Sequence, residues 1–360
     1  MLLDIENLSV AFDTADGVVQ AVDDVSYSVG AGETVAVVGE SGSGKSVGAL
    51  ALMGLLASPP ARVTGRILFE GTNLAGLDDE ALRQVRGRRI GMVFQEPMTS
   101  LNPLLTVGRQ LTEGMRLHLG LGRREARDKA VELLTLVGIP EPASRLKQYP
   151  HQFSGGMRQR VMIAIALACD PALILADEPT TALDVTIQAQ ILQLMKDLTT
   201  RLGVALILIT HDLGIVARYA TRVNVMYAGR IVESASTREL YARPRHPYTL
   251  GLLASVPRLD APSQGARRGA RAQPLQGSGR GGTGKGGRLV PIEGQPPDLA
   301  RLPPGCAYRA RCPYAVDECA SVRPPLVSVG HAHLSACLRA DELPAPGAPP
   351  ADDLHRRASS

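Results

Sequence analysis

The chain has 360 residues, 44% of them hydrophobic, enough for one large domain or two ordinary ones with packed cores. Four Phe, eight Tyr and no Trp argue against an aromatic platform for nucleic acid, and a formal net charge of +4 selects no class of partner. No apolar run reaches the roughly 20 residues that cross a bilayer, and the acidic start Met1-Leu2-Leu3-Asp4-Ile5-Glu6 is unlike a signal peptide. The chain is therefore expected to be soluble and cytoplasmic, with any membrane role exercised through partners.

Residues 2–12 and 19–29 alternate apolar and polar side chains as strands do, with turn-forming residues 13–17 between them. The apolar run at 34–38 predicts a buried strand and residues 47–53 a helix. Between them, Gly39-Glu40-Ser41-Gly42-Ser43-Gly44-Lys45-Ser46 fits G-x-x-x-x-G-K-[ST] without a mismatch. Strand, glycine loop and helix together point to a phosphate cradle. The glycines let backbone N–H groups turn inward, and the helix N-terminus adds partial positive charge. Lys45 would neutralise the β- and γ-phosphates, and Ser46 would offer its hydroxyl to Mg²⁺. The chain is thus expected to bind a nucleoside triphosphate.

Further strands are predicted at 63–70 and 90–94, the latter leading to Gln95. Residues from about 105 to 140 carry helical periodicity and read as an insert in an α/β domain. Apolar strands at 172–176 and 204–209, separated by a helix at 187–202, imply a parallel sheet buried on both faces. Asp177 and Glu178 follow the first of these strands. Asp177 is placed to hold Mg²⁺ through its water shell, and Glu178 to orient or deprotonate an attacking water. His211 follows the second strand, where it could donate to a γ-phosphate oxygen. Gln95, at a comparable strand end, could reach Mg²⁺ or water. Ser154, Gly155 and Gly156 precede the helical run at 161–167 and form a second phosphate-binding device. A chain with one cradle needs a second only to serve a nucleotide held by a neighbouring subunit.

With these residues in view, the chain resembles the ATPase subunits of ABC transporters over residues 1 to about 256. Phe153-Ser154-Gly155-Gly156-Met157 is similar to the LSGGQ signature, with Phe for Leu and Met for Gln. Thr181-Ala182-Leu183-Asp184 matches the D-loop, Gln95 the Q-loop and His211 the switch histidine; Phe12 falls where the family places an adenine-stacking aromatic. Residues 38–46, 94–98, 153–160 and 178–186, with His246-Pro247-Tyr248-Thr249 and Ile292-Glu293-Gly294-Gln295-Pro296-Pro297, narrow the resemblance to oligopeptide/dipeptide importer ATPases. The resemblance implies an α/β fold with a parallel core sheet, an antiparallel β subdomain and a helical subdomain at about 97–160. It implies ATP and Mg²⁺, the ion held through Ser46, Gln95 and Asp177. Two cassettes would face head to tail, with ATP between Lys45 of one and Ser154 of the other, and Asp184 nearby. The implied partners are two transmembrane permeases, a second and non-identical ATPase, and an external substrate-binding protein, at the cytoplasmic face of the inner membrane. No nucleic-acid partner is expected. The rival readings are a soluble ABC ATPase acting on nucleic acid or ribosomes, and an importer of nickel or glutathione.

Residues 257–288 are rich in Gly and Arg and read as a flexible linker, 289–342 as a Pro- and Cys-rich extension, and 343–360 as a disordered tail. Of five cysteines, Cys169 lies in an apolar helical run and reads as a core residue. Cys306, Cys312, Cys319 and Cys337 follow the spacing C-x5-C-x6-C-x17-C, without the close pair usual in zinc sites, and a cytoplasmic location disfavours disulfides. The family resemblance implies a 4Fe–4S cluster on these four thiolates.

Overall fold

The computed structural model describes residues 1–15, 17–181, 183–255 and 291–344. The expected linker at 257–288 and residues 345–360 of the expected tail lie outside the described residues.

In chain order the first half comprises β1 (Leu3–Thr14), β2 (Gly17–Val29), β3 (Thr34–Val38), α1 (Lys45–Leu52), β4 (Ala61–Phe69), β5 (Thr72–Asn73), α2 (Asp79–Val85), β6 (Ile90–Val93), α3 (Pro97–Ser100), α4 (Val107–His118), α5 (Arg123–Leu136) and α6 (Pro142–Arg145). The second half comprises α7 (Gly155–Leu167), β7 (Leu173–Asp177), α8 (Val185–Leu202), β8 (Ala205–Thr210), α9 (Leu213–Tyr219), β9 (Arg222–Tyr227), β10 (Arg230–Ser236), α10 (Thr237–Ala242), α11 (Pro247–Ala254), β11 (Val327–Gly330) and β12 (His333–Ser335).

Two sheets organise the chain. The first is antiparallel, in the order β2-β1-β4-β5. The second runs β11-β12-β10-β9-β3-β8-β7-β6, with β9, β3, β8, β7 and β6 mutually parallel. Every residue of β7 and β8 is buried, which is why both read as unbroken apolar runs rather than alternating ones. The antiparallel sheet packs over α1 and one face of the parallel strands through Leu3, Ile5, Leu8, Val37, Leu52 and Ile207. The helical region buries Leu111, Met115, Leu134 and Ile163 in a separate cluster that also takes in Cys169, as its apolar context predicts.

The C-terminal extension lengthens the second sheet. β12 pairs antiparallel with β10 and carries β11 on its other edge. Beneath this pairing, Nε2 of the buried His333 lies 2.7 Å from the fully buried Glu233 carboxylate, and that carboxylate also accepts the Arg245 N–H at 2.6 Å. Tyr308 enters the third apolar cluster beside Tyr227 and Tyr248, with ring centroids 5.2 and 5.4 Å away. Among the described residues no helix is long and apolar enough to cross a membrane.

Candidate nucleotide-binding site

The end of β3 and the start of α1 are joined by the glycine loop at 39–44. Gly44 caps α1 with φ 98°, and a Cβ there would meet the Ala21 carbonyl oxygen at 2.2 Å. At Gly39 a Cβ would meet the Met226 carbonyl oxygen at 2.1 Å. Neighbouring strands thus press on the loop from outside, and only glycine fits at these two places. Lys45 folds into the loop, donating from Nζ to the carbonyls of Gly39 and Glu40 at 2.8 Å each and lying 3.2 Å from Ser43 Oγ. Burial lowers its pKa, an effect opposed by the carboxylates of Glu178, Asp177 and Glu40.

The Ser46 hydroxyl donates to Asp177 Oδ1 at 2.9 Å, so the two side chains expected at Mg²⁺ already touch. Burial raises the Asp177 pKa, and the Ser46 hydrogen bond opposes that shift. Glu178, next along, has φ 43°, a left-handed conformation that costs a non-glycine residue about 1–3 kcal/mol. Its carboxylate collects three neighbours. Gln95 Nε2 donates at 3.1 Å, Thr181 Oγ1 donates at 2.9 Å, and His211 Nδ1 lies at 3.4 Å. The ends of β6, β7 and β8 therefore deliver Gln95, Glu178 and His211 to one point, as the parallel sheet predicts.

These residues line a cavity of about 950 Å³ together with Ser41, Gly42, Gly44, Lys45, Ser46 and Ala21. Ser43 is buried in the loop beside Lys45. Phe12 is not part of the cavity lining; it is half-buried against the core beneath the antiparallel sheet, opposite Val19. Ser154, Gly155, Gly156 and Asp184 are not in the lining either. The Ser154 side chain accepts the Met157 N–H at 3.3 Å and caps α7, while Asp184 accepts the Ile187 N–H at 3.0 Å and caps α8. The two caps are neighbours, since a Cβ on Gly155 would lie 3.5 Å from Leu183 and one on Gly156 would lie 3.0 Å from Ile187.

Several site residues escape the motif reading. Thr181 holds Glu178, and Tyr248 Oη accepts the Glu40 N–H at 2.7 Å. From the C-terminal part, Leu252, Ser255, Pro291, Ile292 and Leu299 complete the cavity wall. Thr181, Tyr248 and Ile292 sit inside the motifs named above, but nothing in the local sequence says that Thr181 holds Glu178 or that the other two face the glycine loop.

The thiols of Cys306, Cys312 and Cys337 have raised pKa values, in part because other cysteines of the four lie near them. Burial is the larger cause, pushing Cys312 up to about 12 and Cys337 up to about 11. Backbone N–H groups point at three of the sulfurs: Tyr308 and Arg309 at Cys306, Tyr314 at Cys312, and Arg339 at Cys337 at 3.4 Å. This donor chemistry suits thiolate ligands. Yet among the described residues no three His, Cys, Asp or Glu side chains converge as a metal site would require.

A family model described as ABC transporter matches residues 22–181. A second, described as Oligopeptide/dipeptide transporter, C-terminal region, matches 232–282 and 282–319. A putative peptide import ATP-binding protein of Brucella abortus is 51% identical over 350 residues, covering 96% of this chain and 98% of that one. The chain belongs to the ABC transporter family. The dipeptide transport ATP-binding protein DppD of Bacillus subtilis is 49% identical over 342 residues, covering 95% of each chain. Among solved structures, the dimeric ABC transporter cassette MJ0796 superposes with a TM-score of 0.59 at 31% identity, covering 66% of this chain and 99% of that one. The same cassette bound to ADP and Pi gives a TM-score of 0.59 at 30% identity. As a member of this family the chain is an ATP-hydrolysing cassette, and its architecture is that of the solved cassettes.

Proposed function

We propose that this chain powers an importer of di- or oligopeptides, hydrolysing ATP while partner permeases carry the solute. The observation that carries the catalytic reading is the convergence of Gln95, Thr181 and His211 on Glu178, across one cavity from Lys45 and from the touching pair Ser46–Asp177. Lys45 would neutralise the triphosphate and the loop N–H groups would cradle it. Ser46 and Asp177, with Gln95, would hold Mg²⁺. Glu178 would take the proton of the attacking water, with Gln95 and His211 orienting the carboxylate and the γ-phosphate. The cap at Ser154, Gly155 and Gly156 lies outside the cavity with free access to solvent. That placement supports a head-to-tail pair in which it meets the nucleotide of a second cassette, with Asp184 beside it. Phe12 would stack on adenine from β1.

Peptide import is supported by the names of the relatives and by the match to the transporter C-terminal region. Permease contact is assigned to the region around Gln95, where the neighbouring Phe94 is 38% exposed. ATP-driven closure would move the helical insert against that surface at the inner membrane's cytoplasmic face. Glu178→Gln should cut turnover by about 10²–10⁴-fold while leaving ATP binding intact. Undiminished turnover in that variant would sink the catalytic assignment.

We also propose that Cys306, Cys312, Cys319 and Cys337 carry the 4Fe–4S cluster, supported by the N–H groups aimed at three of the sulfurs, although the four thiols would have to draw together to hold it. A bound cluster would supply a covalent staple and a one-electron redox centre. Anaerobically purified protein should contain iron and sulfide that a Cys312→Ser change removes. Protein without either element, prepared under those conditions, would refute the assignment.

A further inference from the structure

The Arg311 side chain is 4% exposed and reaches from the C-terminal extension to the glycine loop. Its guanidinium grips Glu40 with two parallel bonds, Nη1 to Oε2 at 2.6 Å and Nη2 to Oε1 at 2.9 Å. Its centre lies 5.9 Å from the Tyr227 ring centroid and 6.0 Å from that of Tyr308. Of its other donors, Nε goes to the Glu293 carbonyl at 3.0 Å, while Nη1 and Nη2 also reach Tyr227 Oη at 3.4 Å and the Ile292 carbonyl at 3.5 Å. The Nε bond ties Arg311 to the segment 291–293, whose Pro291 and Ile292 line the nucleotide cavity. Glu40 is held at its other polar groups as well. Its N–H is taken by Tyr248 Oη and its carbonyl by Lys45 Nζ.

Docking alone does not require this arrangement. The extension is already fixed by strand pairing to β10, by His333–Glu233 and by Arg323–Asp23. Arg311 differs in neutralising a carboxylate inside the phosphate cradle. The Glu40 charge is felt at the Lys45 ammonium, and Asp177 and Glu178 already place acidic groups around the same point. Left unpaired, Glu40 would oppose a triphosphate.

We propose that Arg311 is a positioning residue for ATP. It cancels the Glu40 charge, sets the start of the glycine loop, and anchors the 291–293 segment as a wall of the cavity. The Cys-rich extension is then a working part of the nucleotide site. This rests on the ATPase reading of that site. Arg311 directly precedes Cys312, in a turn closed by the Arg309 N–H to the Cys306 carbonyl and the Cys312 N–H to the Arg309 carbonyl. Any change at those sulfurs therefore acts next to the grip.

The test uses the full chain with Glu178→Gln, so that binding of a fluorescent ATP analogue is read without turnover. Arg311→Gln should weaken binding by roughly tenfold, since a carboxylate facing the phosphates loses its charge-assisted partner. Adding Glu40→Gln should bring affinity back to within about threefold of the parent, because the uncancelled charge is gone. In the Glu178 background, KM for ATP should follow the same order while kcat at saturation stays level. Thermal melting of each variant registers any loss of the extension's packing. Parent-like binding by Arg311→Gln overturns the proposal. So does a double variant as weak as Arg311→Gln, which would make Arg311 a structural staple. Failure of the parent to bind ATP at all would instead refute the nucleotide site on which the proposal stands.

Discussion

His246 is the residue through which acid should reach the nucleotide site. It caps α11, its Nδ1 accepting the Tyr248 N–H at 3.1 Å, and it is only 2% exposed. Burial lowers its pKa from 6.5 to about 3. Above the ordinary value the ring is neutral in the folded and unfolded chains alike, and the cap costs nothing. Below it, the unfolded chain binds a proton that the folded chain refuses. Stability therefore falls with pH from about 6.5 down to about 3, by at most ~1.4 kcal/mol per pH unit, and levels off below that. At about pH 5 the loss amounts to roughly 2 kcal/mol, a sizeable share of a typical domain's stability. The perturbation is His246→Asn, which keeps an acceptor for the Tyr248 N–H and removes the titration. Urea unfolding at about pH 7.5 and about pH 5 gives the two differences, and the native chain should lose roughly 2 kcal/mol more than the variant. Equal losses would refute the reasoning, because the ring would then be reaching protons in the folded state.

Gly44→Ala should give a folded chain whose ATP affinity is at least tenfold weaker, since the new Cβ meets the Ala21 carbonyl at 2.2 Å and a left-handed φ costs about 1–2 kcal/mol. A variant binding ATP like the native chain, by calorimetry, would show that the loop relaxes freely. A chain carrying Lys45→Ala and a chain carrying Ser154→Ala should each be inactive, yet regain turnover when mixed, because one composite site in the pair then holds both native residues. A mixture no more active than its parts would refute a composite site built from two copies of this chain.

The parallel sheet was legible because each central strand is buried on both faces and so has no polar position to blur it. The glycine loop was legible for a different reason. Backbone crowding at Gly39 and Gly44 leaves only one residue type at each position, so the glycine spacing is itself the signal. Asp177, Gln95 and His211 could be placed because a parallel strand's C-terminal end faces the crevice by topology. Phe12 could not. Its position on β1 was clear, but which side of a twisted ribbon faces the cavity depends on register shifts between Ile5 and Ala11 that no periodicity reveals.

The extension marks the limit of that legibility. Its composition, rich in Pro and Cys and poor in large apolar side chains, suggests a small unit held by its own cysteines. The contacts that give it meaning are long in sequence: Arg311 and Glu40 are 271 residues apart, and Tyr248 and Glu40 are 208 apart. Neither pair lies within a window over which helix or strand patterns can be read. Yet each is a directional, charge-assisted or buried hydrogen bond onto the backbone segment that shapes the phosphate cradle. A free-standing staple would need no arginine aimed at Glu40, and a bare cassette would need no tyrosine taking that residue's N–H. Since the Glu40 backbone also receives the Lys45 ammonium, forces entering through residues 291–312 act on the same loop that ATP must occupy. Coupling of this kind is reciprocal: if the seat of the extension alters ATP affinity, bound ATP must stabilise that seat by the same free energy. Hydrogen exchange at residues 306–312 should therefore slow when ATP is added to the Glu178→Gln chain. Unchanged exchange there, with ATP demonstrably bound, would show that the extension and the cradle touch without being coupled.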